Sequence, residues 1–280
     1  LALQQGQFNL ANSILETQLI KTPNNEDCLA LLGHSHLNQG QLVKAIATFK
    51  QLIEHHPTSA NAQAEIANAY LATNNLTLAI KHFKSAVEIK PNYSEAWHIL
   101  GNLLMKSGAN AEATDCFMQA EKYDPFRQTI LAIGKLMNQN KFHEAEKLAR
   151  EILQQHPNHT HALFILAKLA EQLDEIEQAV QIIQKALQFA PFHISLWQAM
   201  SKYLSQWGKF SDAINASKKL VQISPDNHNN YVTLAIEQAN AGKFEEAINS
   251  YNDALKLESR NANTHLLLGH ALKTIGMRKD

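Results

Sequence analysis

The sequence predicts an all-α fold, a solenoid of antiparallel helix pairs, and three series of residues in register predict it. Prolines stand at 23, 57, 91, 125, 157, 191 and 225, at intervals of 34, 34, 34, 32, 34 and 34, with Ser259 at the next site. An alanine stands twelve residues before each of these sites, at 11, 45, 79, 113, 145, 179, 213 and 247. Five residues before each alanine comes Gly, Asn or Asp: Gly6, Gly40, Asn74, Gly108, Asn140, Asp174, Gly208 and Gly242, with Gly276 continuing the series. A fixed period of this length is the signature of stacked repeats, each one supersecondary unit buried by its neighbours.

Each element follows from physical chemistry. Between turn residue and proline, apolar residues recur at helical spacing, as in Leu42, Ala45, Ile46, Phe49, Leu52 and Ile53. A second stripe precedes the turn, as in Ala96, Trp97, Leu100, Leu103 and Leu104. Gly, Asn or Asp ends the first helix in a left-handed conformation that other residues adopt at a cost. The alanine marks the crossing of the two helices, where a larger side chain would push them apart. Proline closes the second helix. Asn25, Ser94 and Thr160 are then expected as N-caps of following helices. Trp97, Trp197, Tyr231, Phe83 and Phe117 fall at core positions.

These residues resemble the tetratricopeptide repeat, W-x2-L-G-x2-Y followed by A-x3-F and P. One copy is Trp97, Leu100, Gly101, Ala113, Phe117 and Pro125, with Leu104 in the Tyr slot; another supplies Tyr70, Ala79, Phe83 and Pro91. The resemblance implies a single solenoid over 1–280, wound as a right-handed superhelix. Full repeats are expected at 26–59, 60–93, 94–127, 128–159, 160–193, 194–227 and 228–261. Residues 1–25 hold a second helix and 262–280 a first helix, so an apolar face is expected open at each end, offering a route to homo-association. The fourth repeat is two residues short, and a change of pitch is expected between Lys122 and Ile130.

Composition narrows the function. Net charge is −1, with 25 basic against 26 acidic residues. The halves are balanced too: nine basic and eleven acidic in 1–127, sixteen and fifteen in 128–280. No basic stripe or tail marks a nucleic-acid binder. No apolar run is long enough to span a membrane, and LALQQGQFNL lacks the pattern of a signal peptide. The expected compartment is the cytoplasm, with the periplasm left open. Cys28 and Cys116 form neither a disulfide framework nor a zinc motif and are expected as small buried apolar groups.

Nine of the ten glycines are absorbed by the repeat pattern, leaving Gly134, so no phosphate-cradling loop can be built. His143-Glu144-Ala145-Glu146-Lys147 lacks the second histidine of a zinc-protease helix. His55, His56, His156, His159 and His161 gather at turns without completing a ligand set, and no metal site is assigned. No catalytic residue and no cofactor of this chain are expected.

What remains is a binding face. In the family the first helix of each pair lines a concave groove, whose ladder here reads His34, Asn68, Asn102, Gly134, Lys168, Lys202, Ile236 and His270. Apolar pairs lie between the rungs, among them Ala30/Leu31, Ile130/Leu131, Phe164/Ile165 and Leu266/Leu267. The expected partner is a protein or peptide held by Asn68 and Asn102 on its backbone, Lys168 and Lys202 on its carboxylates, and Ile130 with Phe164 on apolar side chains. His34 and His270 complete the candidate site. The dicarboxylate clamp of chaperone-binding repeats is broken at Ala64, Asn68 and Ile99 in one register and at Ala30, His34 and Glu65 in another. The asparagine ladder of O-linked N-acetylglucosamine transferases is replaced by Leu31, Glu65, Ile99, Leu131, Ile165, Ala199, Thr233 and Leu267.

His265-Leu-Leu-Leu-Gly-His-Ala-Leu-Lys-Thr-Ile-Gly276 is similar to the last repeats ahead of the catalytic domain in bacterial tetratricopeptide sulfotransferases. That resemblance implies a recognition or acceptor-presenting region of a larger enzyme. Its 3′-phosphoadenosine-5′-phosphosulfate would bind beyond these repeats, so no catalytic residue is carried over. The alternative is a stand-alone scaffold for secretion, pilus or envelope assembly.

Overall fold

Alanine at the helix crossings and a left-handed residue at each turn set the architecture of the computed structural model, which describes residues 7–276. Among the described residues there are sixteen helices and no strand. The chain divides into two compact units, 1–127 and 128–280. The division falls inside the shortened inter-repeat segment, where Asp124 Oδ1 accepts from the backbone N–H of Phe126 at 2.8 Å.

The N-terminal unit comprises α1 (Phe8–Lys21), α2 (Glu26–Asn38), α3 (Leu42–His55), α4 (Ala60–Ala72), α5 (Leu76–Ile89), α6 (Ser94–Ser107) and α7 (Asn110–Lys122). Each packs on the next in sequence. The C-terminal unit comprises α8 (Arg127–Asn138), α9 (Phe142–Gln155), α10 (Thr160–Gln172), α11 (Ile176–Phe189), α12 (Ile194–Gln206), α13 (Phe210–Ile223), α14 (His228–Asn240), α15 (Phe244–Leu257) and α16 (Ala262–Thr274). From α9 onward the same serial packing holds.

Seven of the register alanines, from Ala45 to Ala247, have no exposed surface, and Ala11 retains 5%. Gly40, Asn74, Gly108, Asn140, Asp174, Gly208, Gly242 and Gly276 all adopt positive φ, between 57° and 85°. Gly6 lies outside the described residues. Every second helix from α3 to α13 ends two or three residues before its proline.

The N-caps correct the sequence reading at two of three positions. Asn25 caps α2, its Oδ1 accepting from Cys28 N at 2.8 Å. Ser94 is already inside α6 and donates instead to the Ala120 carbonyl at 2.8 Å. Thr160 is inside α10, whose cap is His159, with Nδ1 accepting from Ala162 N at 3.2 Å. The cap sits two residues after the proline, and Ser94 and Thr160 are three after it.

Trp97 and Trp197 are half-buried, and each indole N–H donates to the proline carbonyl six residues earlier, Pro91 or Pro191, at 2.7 Å. His265 takes the same register, its Nε2 lying 2.9 Å from the Ser259 carbonyl. Because a carbonyl only accepts, Nε2 carries the proton there. Of the two cysteines expected to be buried, Cys28 is only half-buried, while Cys116 is buried, which pushes its thiol up to about 11, with Lys84 opposing. Exposed apolar side chains stand on α1 (Leu10, Ile14, Ile20) and on α16 (Leu266).

Candidate peptide-binding face

The ladder residues occupy one register of successive first helices, and each unit presents its own set. In the N-terminal unit, His34 on α2, Asn68 on α4 and Asn102 on α6 are all half-buried. His34 stands edge-on to Phe49, ring centroids 5.8 Å apart at 85°, and its Nε2 lies 3.1 Å from Glu65 Oε1. That hydrogen bond raises the His34 pKa above its ordinary value, burial opposes it, and the Glu65 charge adds to it. The other oxygen, Glu65 Oε2, is buried without a hydrogen-bond partner among the described residues. Asn68 follows one turn later on α4, and no hydrogen bond among the described residues fixes its carboxamide. On α6, Asn102 Nδ2 lies 3.2 Å from His98 Nδ1, and the His98 ring packs edge-on to Phe117.

In the C-terminal unit, Ile130 on α8 and Phe164 on α10 are half-buried. Lys168 is exposed and holds its Nζ 4.5 Å above the Phe164 ring. Ile165, expected beside Phe164 in the groove, belongs instead to the core at 6% exposure, because α10 is buried on several sides. Lys202 on α12 is exposed but engaged: its ammonium pairs with Glu171 of α10. Burial pushes the Glu171 carboxyl up. Hydrogen bonds from Lys202, Tyr203 and Gln206, with the Lys202 charge, outweigh it and hold the group below the ordinary carboxylate range. Tyr203 is itself raised, first by burial and then by Glu171. His270 on α16 is exposed.

None of these residues lines the shallow hollow of about 740 Å³ formed by Asp174, Glu175, Ile176, Gln206 and Trp207 with their neighbours. Among the described residues no group of three or more His, Cys, Asp or Glu could hold a metal ion. None of their helices is long and apolar enough to cross a membrane.

Two residues that the sequence reading left outside the site carry the most distinctive chemistry. Glu65 appears there only as a break in two known groove patterns, and Glu171 not at all. His228 is buried as well, its Nδ1 2.8 Å from the Ala254 carbonyl and its Nε2 3.0 Å from Thr264 Oγ1. It ties α14 to α15 and α16.

Serial helix hairpins with a left-handed turn, a crossing alanine and a closing proline define a helical-repeat scaffold. Sequence models of the tetratricopeptide repeat match residues 2–64, 37–81 and 136–203, more than half of the chain. Further models of the same repeat match 67–108 and 239–276, and 94–127. The chain belongs to the tetratricopeptide-repeat family, whose fold is a protein-interaction scaffold. Similar solved structures include yeast Tom70, at 19% identity and TM-score 0.48, over 98% of this chain and 60% of that one. A chain of the APC/C hetero-tetramer Cut9-Hcn1 matches at 18% and 0.46, over 95% of this chain and 52% of its own length. MamA MSR-1 matches at 18% and 0.45, over 54% of this chain and 85% of that one. This chain thus spans between about half and three-fifths of the length of two of these neighbours. Comparison with curated proteins gives no match.

Proposed function

We propose that the chain is a non-catalytic module that binds a protein or peptide along its first-helix faces. The observation that supports this reading is the ladder itself. At one register of successive first helices, and one turn before it, stand polar, cationic, apolar and aromatic side chains that are half-buried or exposed. His34, Asn68 and Asn102 would contact a ligand in the N-terminal unit, and Ile130, Phe164, Lys168, Lys202 and His270 in the C-terminal one. Aromatic and apolar anchors such as Phe164 would carry most of the affinity. A tiled peptide array probed with wild type, Phe164→Ala and Lys168→Glu tests it. Loss of about tenfold or more in affinity for a subset of hits is expected; unchanged binding of every hit by both variants retires the assignment.

The segment from His265 to Gly276 favours a more specific reading, in which the module selects or presents an acceptor to a sulfotransferase domain using 3′-phosphoadenosine-5′-phosphosulfate. The coding sequence after Asp280 tests it. An α/β domain with a phosphate-binding loop supports the enzyme; a stop codon or further repeats leave the stand-alone scaffold.

A further inference from the structure

We propose that the first-helix face of the N-terminal unit recognises a cationic side chain, lysine or arginine, of the bound peptide, through Glu65 and Asn68. This rests on the groove-binding reading above and names the chemistry of one of its subsites.

The chain's charge balance conceals a segregation by helix. The first helices of the N-terminal unit, α2, α4 and α6, carry Glu26, Asp27, Glu65 and Glu95 against a single Lys106 in the last turn of α6. Neither α2 nor α4 contains a lysine or arginine. The first helices of the C-terminal unit carry the opposite excess: Arg127, Lys135, Lys168, Lys202 and Lys273 against Glu171 and Glu237. The two excesses, three negative and three positive, cancel across the chain, which is why the bulk composition shows nothing.

Within the acidic face, Glu65 is the shielded carboxylate, its side chain 21% exposed. One oxygen is occupied by His34 Nε2, and the ring that supplies this bond is set edge-on against Phe49. The second oxygen is buried and unpartnered among the described residues. A carboxylate oxygen so placed calls for a donor, and no lysine or arginine of the unit pairs with it among the described residues. Asn68, three residues on, shares its helical face and offers a carboxamide oxygen. An ammonium carries three donors and a guanidinium five, and neither needs an acceptor, so one cation can satisfy both oxygens. Leu31, 44% exposed and one turn before His34 on α2, supplies apolar surface for the aliphatic stem of such a side chain. An anionic group would meet the Glu65 charge and is disfavoured.

The whole chain, isotope-labelled, is titrated with hexa-arginine and with hexa-glutamate, both blocked at their ends, while the side-chain amide of Asn68 and the carboxyl carbon of Glu65 are followed by NMR. Hexa-arginine is expected to shift both signals, with affinity falling about tenfold in Glu65→Gln, unchanged in Glu88→Gln on the second helix α5, and rising in Asn68→Asp. Equal affinity of hexa-arginine for wild type and Glu65→Gln overturns the assignment. Should Glu65→Gln fail to fold by circular dichroism, Asn68→Asp decides: tighter binding supports the subsite and unchanged binding overturns it. Hexa-glutamate shifting Phe164 and Lys168 while hexa-arginine leaves Asn68 unmoved overturns the cation subsite and keeps the groove reading. Silence of every first helix to both peptides, with an array free of hits, overturns both.

Discussion

A Cβ added to Gly33 would stand 2.4 Å from Cε1 of Phe49, and one added to Gly101 would stand 2.6 Å from Cε1 of Phe117. Two repeats thus use the same pair, a glycine on the first helix and an aromatic ring on the second. Phe49 is fully buried and has nowhere to retreat. Gly33→Ala is therefore expected to destabilise by about 1–3 kcal/mol through overpacking, against a helix-propensity gain of about 1 kcal/mol. Gly269 occupies the same register, yet an added Cβ there meets nothing within 4 Å. Gly269→Ala should stabilise by up to about 1 kcal/mol. Urea denaturation of the two variants gives opposite signs.

Turn residues at positive φ respond by type. Asn74, Asn140 and Asp174 hold φ of 57°, 59° and 61°. Glycine tolerates this region without the Cβ clash that costs an L-residue about 1–2 kcal/mol. Asn140→Gly and Asp174→Gly are expected to be neutral to stabilising, while Gly208→Ala should destabilise by about 1 kcal/mol, although nothing lies within 4 Å of its Cβ position. Thermal melts of the three variants check the order.

The repeat was legible because its determinants are local and recur: a crossing alanine, a left-handed turn, a proline. What escaped was relational. Ser94 and Thr160 have the chemistry of caps but stand one residue past the register that Asn25, Ser59 and Asn261 occupy. Residue type misled where position decided. Glu65 and Glu171 escaped for another reason. His34 pairs with Glu65, and Glu171 with Lys202, and both pairs span 31 residues. That is one repeat less three, the offset at which consecutive first helices bring their faces together. A search for complementary charges at this offset would have found both. His228 gave no such signal, since its partners Ala254 and Thr264 are a backbone carbonyl and a hydroxyl.

The His34–Glu65 contact makes the N-terminal unit sensitive to pH. The folded pKa of His34 lies above the ordinary 6.5, chiefly through its hydrogen bond to Glu65. A raised histidine pKa contributes stability that is fully present below 6.5 and is lost as pH rises through the folded value. Both side chains are partly exposed, so the contribution is on the order of 1 kcal/mol or less. The stability gap between wild type and His34→Gln should be widest just below 6.5 and shrink above it. A gap constant across that window would show that the ring acts through packing on Phe49 alone.

Lys202 and Lys168 occupy equivalent rungs of the ladder but do different work. Lys202 holds a carboxylate of its own chain, while Lys168 lies over the Phe164 ring. Glu171 is pushed up by burial and drawn down mainly by Lys202. With Lys202→Met, burial meets only the hydrogen bonds of Tyr203 and Gln206, and the Glu171 pKa should rise. Lys168→Met should leave it unmoved. A depressed carboxylate contributes stability that is present above 4.5 and lost as pH falls through the folded value. Lys202→Met should therefore lose less stability than wild type as pH falls below 4.5, because less of the depressed-carboxylate contribution is there to be lost. Carbon-13 titration of the Glu171 carboxyl reads the shift directly. An unmoved Glu171 in Lys202→Met would mean that the ion pair does not persist in solution and that Lys202 is as free as Lys168 to meet a ligand.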